Sequence, residues 1–527
     1  MEIKKQHDSD TLSQARSPGF KPQGVGSDAE RLEHLGIQGE LDRSFSLPSL
    51  IGLCLCLMGT WEACSSVVAQ ALTSGGVPCL LIATFLCSIA VGASLGEIAS
   101  IYPTAGGQYH WVAALFPDSG RKTAAWVTGW ISIGGQIVMT ASVAFACGLM
   151  TQGLIVLNVE GYIPTRWQAV LIYWAFLLYA AAMNIWCHRL LPTASLISGI
   201  LHVVCFVAIF IALAVMAPKN SASFVFTETY NRTGWPSDGV AWLVGLISTV
   251  YPFLGYDAAY HLAEELPHAS RNVPLAMLGS IVTNGTIGLA YVLMLAFSTG
   301  SLDTILDTPT GFPFMKIFLD ATRSTAGATA LVLYPIVVAV AGTVAGVTST
   351  SRTLWVYARD KATPFPGHLS HVNQRARVPV NAIVACLVLQ AALGFIYLGN
   401  TTAFNAILSM SIIGMYSSYG IPIACMLFNG RTQLPKSEYG PFRFGKIAGP
   451  ILNIISLVWI TAAIIFSIFP GTIPANSTNM NYSIAVMVAW MAFGLAWYAI
   501  SLRRKFHTPI VRPNVVMGLP LNLHVGG

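Results

Sequence analysis

The chain has 527 residues, of which 54% are hydrophobic and 9% are charged, and its formal net charge is +6. Soluble domains carry about 25% charged residues, so this composition excludes a soluble protein and indicates a polytopic membrane protein. The basic residues are spread over loops, which argues against nucleic-acid binding. The ten cysteines lie in or beside apolar segments, as expected of small buried residues and not of a disulfide framework.

Residues 1–45 are polar, without the apolar stretch of a signal peptide, and are predicted to form a disordered cytoplasmic tail. Residues 46–505 are predicted to form an all-α membrane domain of twelve transmembrane helices, because an apolar run of roughly 20 residues spans a bilayer. Residues 506–527 are predicted to be a second cytoplasmic tail. The predicted spans are 48–73, 77–101, 123–152, 167–187, 193–217, 239–264, 273–299, 326–358, 379–398, 402–428, 449–470 and 480–502.

Span 1 is interrupted by polar residues at its centre, in the run Gly59-Thr60-Trp61-Glu62. In hydrocarbon an unpaired carboxylate costs several kcal/mol. Non-helical backbone at membrane depth is tolerated only where it lines a cavity or is buried in protein. This interruption therefore predicts a transporter whose substrate site lies at a broken helix.

Span 6 carries a second interruption, at Pro252 and Gly255. Proline removes a backbone hydrogen bond and glycine loosens a helix. The aromatic residues Tyr251, Phe253 and Tyr256 surround this break and predict an aromatic-walled substrate pocket, although a simple proline kink is the alternative. Breaks in spans 1 and 6 occupy corresponding places in two five-helix halves, so the pattern predicts a five-plus-five inverted repeat with broken helices 1 and 6.

Several motifs resemble those of the amino acid–polyamine–organocation (APC) superfamily. They are the segments 97–109 after span 2, 351–361 at the end of span 8, and 378–383. His261-Leu-Ala-Glu-Glu265, with the later Val273-Pro274, resembles the fungal amino acid/choline branch, which includes GABA and choline permeases. The resemblance covers roughly residues 45–505. It implies the five-plus-five fold with spans 11 and 12 added, and a plasma-membrane permease driven by the proton gradient.

Candidate substrate contacts lie at both breaks. Amides freed at Gly59 and Thr60 are suited to bind a carboxylate, or Gly59 serves only close packing. Glu62 is predicted to meet a substrate ammonium or a coupling proton, the alternative being a structural hydrogen bond to span 6 or 8. Trp61 either stacks on an ammonium or packs in the core. Asp257 is a substrate or proton group, or it caps a half-helix.

The resemblance also implies a role for His202 in span 5. In proton-coupled relatives a basic residue in this span takes the place of a sodium ion. His202 therefore joins Glu62 and Asp257 as a proton-coupling candidate, and a buried histidine with satisfied hydrogen bonds is the alternative. Charged residues near helix ends are predicted to form gate and loop salt bridges: Glu97, Glu264, Glu265, Arg352, Arg359 and Asp360.

The distribution of Lys and Arg predicts that both termini are cytoplasmic. The loops on the opposite side carry only Arg166, Lys219, Arg232, Lys316 and Arg323. Glycosylation sequons fall in the same outer loops at Asn231, Asn400, Asn476 and Asn481, whereas the sequon at Asn284 lies within a span and is expected to be unmodified. These features predict a glycosylated membrane protein of the eukaryotic secretory route, and the resemblance implies that it lies in the plasma membrane.

The predicted function is uptake of an amino acid or small amine, such as GABA, by proton symport. Alternatives are a choline or ethanolamine permease and a nutrient sensor that binds its ligand without moving it. The chain has no Gly-rich phosphate loop and no metal-ligand spacing, so neither an enzyme nor a cofactor is expected. The expected partners are the small-molecule substrate, protons and the lipid bilayer.

Overall fold

The structure is a computed structural model that describes residues 44–81, 84–373, 377–399, 403–436, 438–477 and 479–508. Almost all of both predicted tails, together with the sequon residue Asn400, lies outside the described residues. The described part of the chain is helical and contains no β-strand. Its core also contains eight of the ten cysteines as buried residues, which confirms their reading as small core side chains.

Twelve helices are long and apolar enough to cross a membrane, so the chain is a multi-pass membrane protein. Each corresponds to one predicted span, with ends that differ by a few residues. Spans 1 to 6 are Leu47–Gly75, Thr84–Ile101, Arg121–Asn158, Arg166–Trp186, His188–Met216 and Asp238–His261. Spans 7 to 12 are Ala269–Ser298, Thr325–Arg359, Val380–Gly399, Ala406–Gln433, Ala448–Ser467 and Ser483–Lys505.

Span 1 is broken where the sequence predicts. Its two halves, Leu47–Met58 and Thr60–Gly75, meet at Gly59, whose backbone has φ 48° and ψ 51°. This left-handed conformation suits glycine because no Cβ clashes with the neighbouring carbonyl. The first half begins at a capping box in which the side chains of Ser46 and Ser49 each accept a bond from the other's backbone amide.

Span 6 is broken over a longer stretch. Helical turns at Asp238–Gly245 and Ile247–Val250 lead into a 3₁₀ turn at Tyr251–Phe253, and helix resumes only at Ala258–His261. Between them Gly255 has φ 106°, a conformation that side-chain-bearing residues rarely adopt. Broken helices therefore stand first in each five-span half, which confirms the predicted five-plus-five arrangement.

Both described chain ends lie at one end of the bundle, which we call the termini face. The Phe45 amide donates to the carbonyl oxygen of Glu265 at 3.3 Å, and the His507 amide donates to that of Asp360 at 3.2 Å. We call the opposite end the far face, where spans 3 and 4, 7 and 8, and 11 and 12 are connected. Span 3, with 38 residues, packs against spans 8 and 10 and forms the centre of the scaffold.

The far-face sequons differ in the surroundings of their asparagines. Asn231 and Asn476 are exposed, and the Asn231 amide donates only within its own exposed loop, to the Trp235 carbonyl and Asp238 Oδ1. The part-buried Asn481 amide instead donates to Ser409 Oγ, the Ser467 carbonyl and the Phe469 carbonyl at 3.1, 2.7 and 3.2 Å. A glycan on Asn481 would displace these bonds. We therefore expect glycans at Asn231 and Asn476 and, contrary to the sequence prediction, none at Asn481.

This expectation is checked by electrophoretic mobility of the protein expressed in a eukaryotic host. Asn231→Gln and Asn476→Gln should each increase mobility by one glycan, and Asn481→Gln should leave it unchanged. Glycosidase treatment of the unmodified chain is the control. A mobility shift in Asn481→Gln contradicts the structural argument, and the absence of any glycan contradicts the predicted orientation of the far face.

Candidate substrate site at the helix breaks

The break in span 1 borders a small inner cavity of about 30 Å³. Its lining includes Gly59, Glu62, Ser66 and Tyr251. A cavity of this size has room for about one water molecule. Backbone and side-chain polar groups therefore face a space at the centre of the bundle, as the sequence predicts for a broken transmembrane helix.

A vestibule of about 640 Å³ opens above this cavity on the far face. Ser66 lines both spaces, so the vestibule adjoins the inner cavity at the break in span 1. Its wall carries the uncharged polar side chains of Gln70, Gln152 and Asn481, and the guanidinium of Arg166. The far face of the bundle thus opens into a polar vestibule above the break.

Glu62 and His202 form a buried pair at the break. His202 Nδ1 lies 2.7 Å from Glu62 Oε1, and the two residues are 0% and 2% exposed. The structural hydrogen bond of Glu62 thus goes to span 5, whereas the sequence interpretation placed it on span 6 or 8. Glu62 Oε2 and His202 Nε2 have no hydrogen-bond partner in the described structure. Two of the three predicted proton-coupling candidates are therefore in direct contact.

Thr60 joins the two broken helices. Its hydroxyl donates to the Pro252 carbonyl at 2.9 Å, and its backbone amide donates to Asn284 Oδ1 at 3.3 Å. Asn284 Nδ2 in turn is 3.3 Å from the Leu55 carbonyl, so the side chain of one residue bridges both halves of span 1. The Thr60 amide, predicted to be available to a substrate carboxylate, already has a partner.

Asn284 is a site residue that sequence reasoning treated only as an unusable sequon. It is fully buried in span 7, where an amide side chain is costly unless hydrogen-bonded. An asparagine in the middle of an apolar span is the signal that points to such a role. Its burial agrees with the expectation that this sequon is unmodified.

The aromatic candidates divide into one that lines the inner cavity and others that pack around it. Tyr251 lines the cavity and its hydroxyl lies 2.7 Å from Ser142 Oγ. Trp61 is fully buried, donates to the His202 carbonyl at 3.3 Å, and contacts the Tyr291 ring at 5.6 Å between centroids. Trp61 therefore packs against His202 in the core and does not line the inner cavity.

Phe253 and Tyr256 lie outside the lining of the inner cavity. Phe253 stacks on Phe85 with ring centroids 6.0 Å apart, and Tyr256 packs on Tyr419 at 5.6 Å. Asp257 stands at the start of the half-helix Ala258–His261 but makes no capping bond. The capping interpretation is wrong because Asp257 Oδ2 turns instead toward His261 Nε2, 3.4 Å away.

The termini face is closed by ion pairs beneath the breaks. Glu264 Oε1 is 3.1 Å from Arg359 Nη2, and Glu265 Oε1 is 3.0 Å from Arg352 Nε. These contacts confirm the predicted salt bridges at helix ends. Two further contacts extend the layer: Arg431 Nη2 to Glu97 Oε2 at 2.5 Å, and His110 Nε2 to Asp360 Oδ2 at 3.0 Å. The bundle thus has a vestibule on the far side of the break and a layer of ion pairs on the termini side.

Comparison with known proteins connects this geometry to a family. The family model described as amino acid permease matches residues 45–490. The choline transporter of Saccharomyces cerevisiae is 32% identical over 473 residues, covering 89% of this chain and 83% of the yeast protein. A putative amino acid/polyamine transporter of Macrophomina phaseolina is 33% identical, covering 83% of this chain and 97% of that protein. The Arabidopsis thaliana amino-acid permease BAT1 is 29% identical, covering 91% and 96%.

A solved structure supports the architecture. The manganese transporter of Eremococcus coleocola matches with a TM-score of 0.53, covering 94% of this chain and 99% of that chain. The two share 13% sequence identity, so this likeness concerns the fold alone. Among the residues that the structure describes, no group of three or more His, Cys, Asp or Glu side chains is placed to hold a metal ion.

Proposed function

Because this chain belongs to the amino acid permease family, and so transports amino acids or organocations, we propose that it takes up an amino acid or small amine, such as GABA, by proton symport. The observation that carries the substrate proposal is Glu62 Oε2, which has no hydrogen-bond partner and lies beside the backbone of Gly59 at the inner cavity. A buried carboxylate oxygen needs a positive or donating partner. The ammonium group of the substrate supplies one.

The coupling proposal rests on the contact between Glu62 and His202. Proton-driven transport needs a group that gains and loses a proton, and histidine does so near neutral pH. When His202 is protonated, its charge balances that of Glu62. When the proton leaves toward the termini face, the charge of the carboxylate is no longer balanced. Substrate and proton therefore act on the same buried pair.

Choline or ethanolamine is a second candidate substrate, favoured by one specific contact. The backbone amide of Thr60 donates to Asn284 Oδ1. The carboxylate of an amino acid substrate would need this amide as a donor. Choline has no carboxylate and needs only the anionic Glu62 and aromatic neighbours. The identity with the yeast choline transporter also supports this candidate.

We further propose that the protein lies in the plasma membrane with the termini face toward the cytoplasm. Support comes from the Lys- and Arg-rich loops of that face. Residues 46–505 would then form the transporter domain, flanked by cytoplasmic tails at 1–45 and 506–527. In this orientation the vestibule faces the outside, as uptake requires.

An uptake assay in a permease-deficient host tests the function. Cells expressing the chain should accumulate one of a panel of radiolabelled solutes: GABA, other amino acids, choline, ethanolamine and polyamines. Accumulation should fall when a protonophore collapses the proton gradient. The empty host is the control for each solute. Accumulation that survives the protonophore contradicts proton symport, and binding without uptake of any solute indicates the sensor alternative.

A further inference from the structure

A second buried histidine–carboxylate pair lies in span 6, on the termini side of its break. His261 and Asp257 are each 1% exposed, and Asp257 Oδ1 has no hydrogen-bond partner in the described structure. Among the described residues the Tyr256 hydroxyl beside the pair also lacks a partner, whereas the Tyr419 hydroxyl lies toward Asp257 and that of Tyr260 toward Gln108. Buried polar groups are nearly always hydrogen-bonded, so the incompletely bonded oxygens of Asp257 and Tyr256 point to a role that this conformation does not satisfy.

The hydrogen bonds of His261 define which of its nitrogens carries a proton. Nδ1 is 3.1 Å from the Ala105 carbonyl, which can only accept, so Nδ1 is the donor. Nε2 is 2.6 Å from Nε2 of Gln136. With the proton on Nδ1, Nε2 of the neutral ring can only accept, so the NH₂ group of Gln136 faces the histidine and Oε1 lies 2.9 Å from the Thr353 hydroxyl. The neutral ring of His261 therefore accepts a bond from Gln136.

This hydrogen bond connects the broken span 6 to span 3, and through Gln136 to span 8. His261 belongs to the half-helix after the break in span 6, whereas Gln136 lies in span 3 and Thr353 in span 8. Three residues beyond His261 begin the ion pairs Glu264–Arg359 and Glu265–Arg352 that seal the termini face. The state of His261 is thus placed to influence whether this face stays closed.

Adding a proton to Nε2 changes the partner that His261 can use. A protonated Nε2 donates, and the NH₂ group of Gln136 cannot accept. Asp257 Oδ2, already 3.4 Å away, is the acceptor at hand. We propose that Asp257 and His261 form a second proton-binding site, and that protonation moves His261 from Gln136 to Asp257 and so releases span 6 from span 3. This proposal rests on the proton symport proposed above.

The other ionisable side chains around Asp257 and His261 are tyrosines and a cysteine. Tyr256 and Tyr260 flank it on span 6 and Tyr419 on span 10, and Cys54 of span 1 lies 4.0 Å from the Tyr256 carbonyl. Tyrosine and cysteine ordinarily titrate above neutral pH. The nearest formal charges along span 6 are the ion-paired Glu264 and Glu265, whose partners are Arg359 and Arg352.

The test is exchange of radiolabelled solute at equal concentrations across proteoliposomes, with the same pH on both sides. The solute is the one that wild-type protein accumulates in the uptake screen. Exchange requires the termini face to open, so the wild-type rate should rise several-fold as the pH on both sides is lowered from about 8 to about 5. Purified full-length protein is used throughout.

Three variants should change the exchange rate, one of them in the opposite direction to the other two. Gln136→Met removes the amide that holds the neutral ring and should be faster than wild type at high pH. His261→Gln cannot be protonated and should remain slow at low pH. Asp257→Asn, which removes the negative charge that favours a protonated His261 ring, should behave in the same way. His188→Gln is the matched control, because His188 is a part-buried histidine at the start of span 5, outside the cluster.

The outcomes separate the second site from the proposed function. If the wild-type protein exchanges none of the solutes, the proposed function fails. If it exchanges one and all three variants follow the wild-type pH curve, the second proton site is wrong. If His261→Gln does not fold, Gln136→Met is sufficient as a test. A wild-type pH curve for Gln136→Met would show that the hydrogen bond between His261 and Gln136 does not control the exchange rate.

Discussion

Gly59→Leu should abolish solute uptake while leaving the amount of protein in the membrane close to normal. Gly59 has φ 48°, and a Cβ at this position would lie 3.2 Å from the Cys56 carbonyl oxygen and 3.5 Å from Glu62 Oε2. The left-handed conformation costs a side-chain-bearing residue roughly 1–2 kcal/mol. A leucine side chain would also fill the small inner cavity and displace the carboxylate that we propose to bind the substrate.

The expected loss is at least about 100-fold in uptake rate, the cost of misplacing a binding group by about 1 Å. Gly300→Leu is the matched control, since a Cβ there meets nothing within 4 Å, and it should transport normally. Uptake and surface abundance are measured together on the same cells. Near-normal transport by Gly59→Leu would remove the break in span 1 from the substrate site.

Most of the fold is readable from the sequence because the bilayer restricts the possibilities. Only helices satisfy backbone hydrogen bonds in hydrocarbon without closing into a barrel, so apolar runs locate the twelve spans within a few residues. The two breaks are also readable, since Gly59 in span 1 and Pro252 with Gly255 in span 6 are positions where a continuous helix is disfavoured. In the structure the helices end or begin at or next to these residues.

The contacts of the site are less predictable, because they depend on which faces of distant helices meet. Glu62 and His202 are 140 positions apart, and the sequence alone did not indicate that span 5 faces span 1 at this depth. Asn284 is 224 positions from Thr60 and was noticed only as a sequon. Asp257 is assigned a cap by local sequence, but tertiary packing directs its carboxylate to His261.

The arrangement also explains why buried charge is tolerated at the centre of a membrane protein. An isolated ionised carboxylate in this setting is strongly disfavoured. Glu62 is stabilised by His202 on one oxygen and left open on the other. A fully satisfied carboxylate would have no reason to bind a further cation, so the proposal that Glu62 contacts the substrate depends on the missing bond on Oε2.

His202→Gln should stop uphill accumulation while leaving exchange of solute at equal concentrations largely intact. Gln keeps a donor for Glu62 Oε1, which in the native protein is 2.7 Å from His202 Nδ1, but it cannot gain or lose a proton at physiological pH. The site then still binds its ligand, and solute crosses in both directions. Without a proton to carry, the inside concentration should rise only to the outside concentration.

Glu62→Gln is the informative comparison, because Glu62 Oε2 is the proposed substrate contact whereas His202 is fully buried behind it. Loss of the carboxylate should weaken binding and therefore slow exchange as well as accumulation. Accumulation with an imposed pH gradient and exchange without one are measured on both variants in proteoliposomes. If both variants keep full pH-driven accumulation, neither residue carries the proton, and Asp257 or a different driving ion becomes the better assignment. If His202→Gln loses exchange as completely as Glu62→Gln, the histidine serves to position the carboxylate and not to carry the coupling proton.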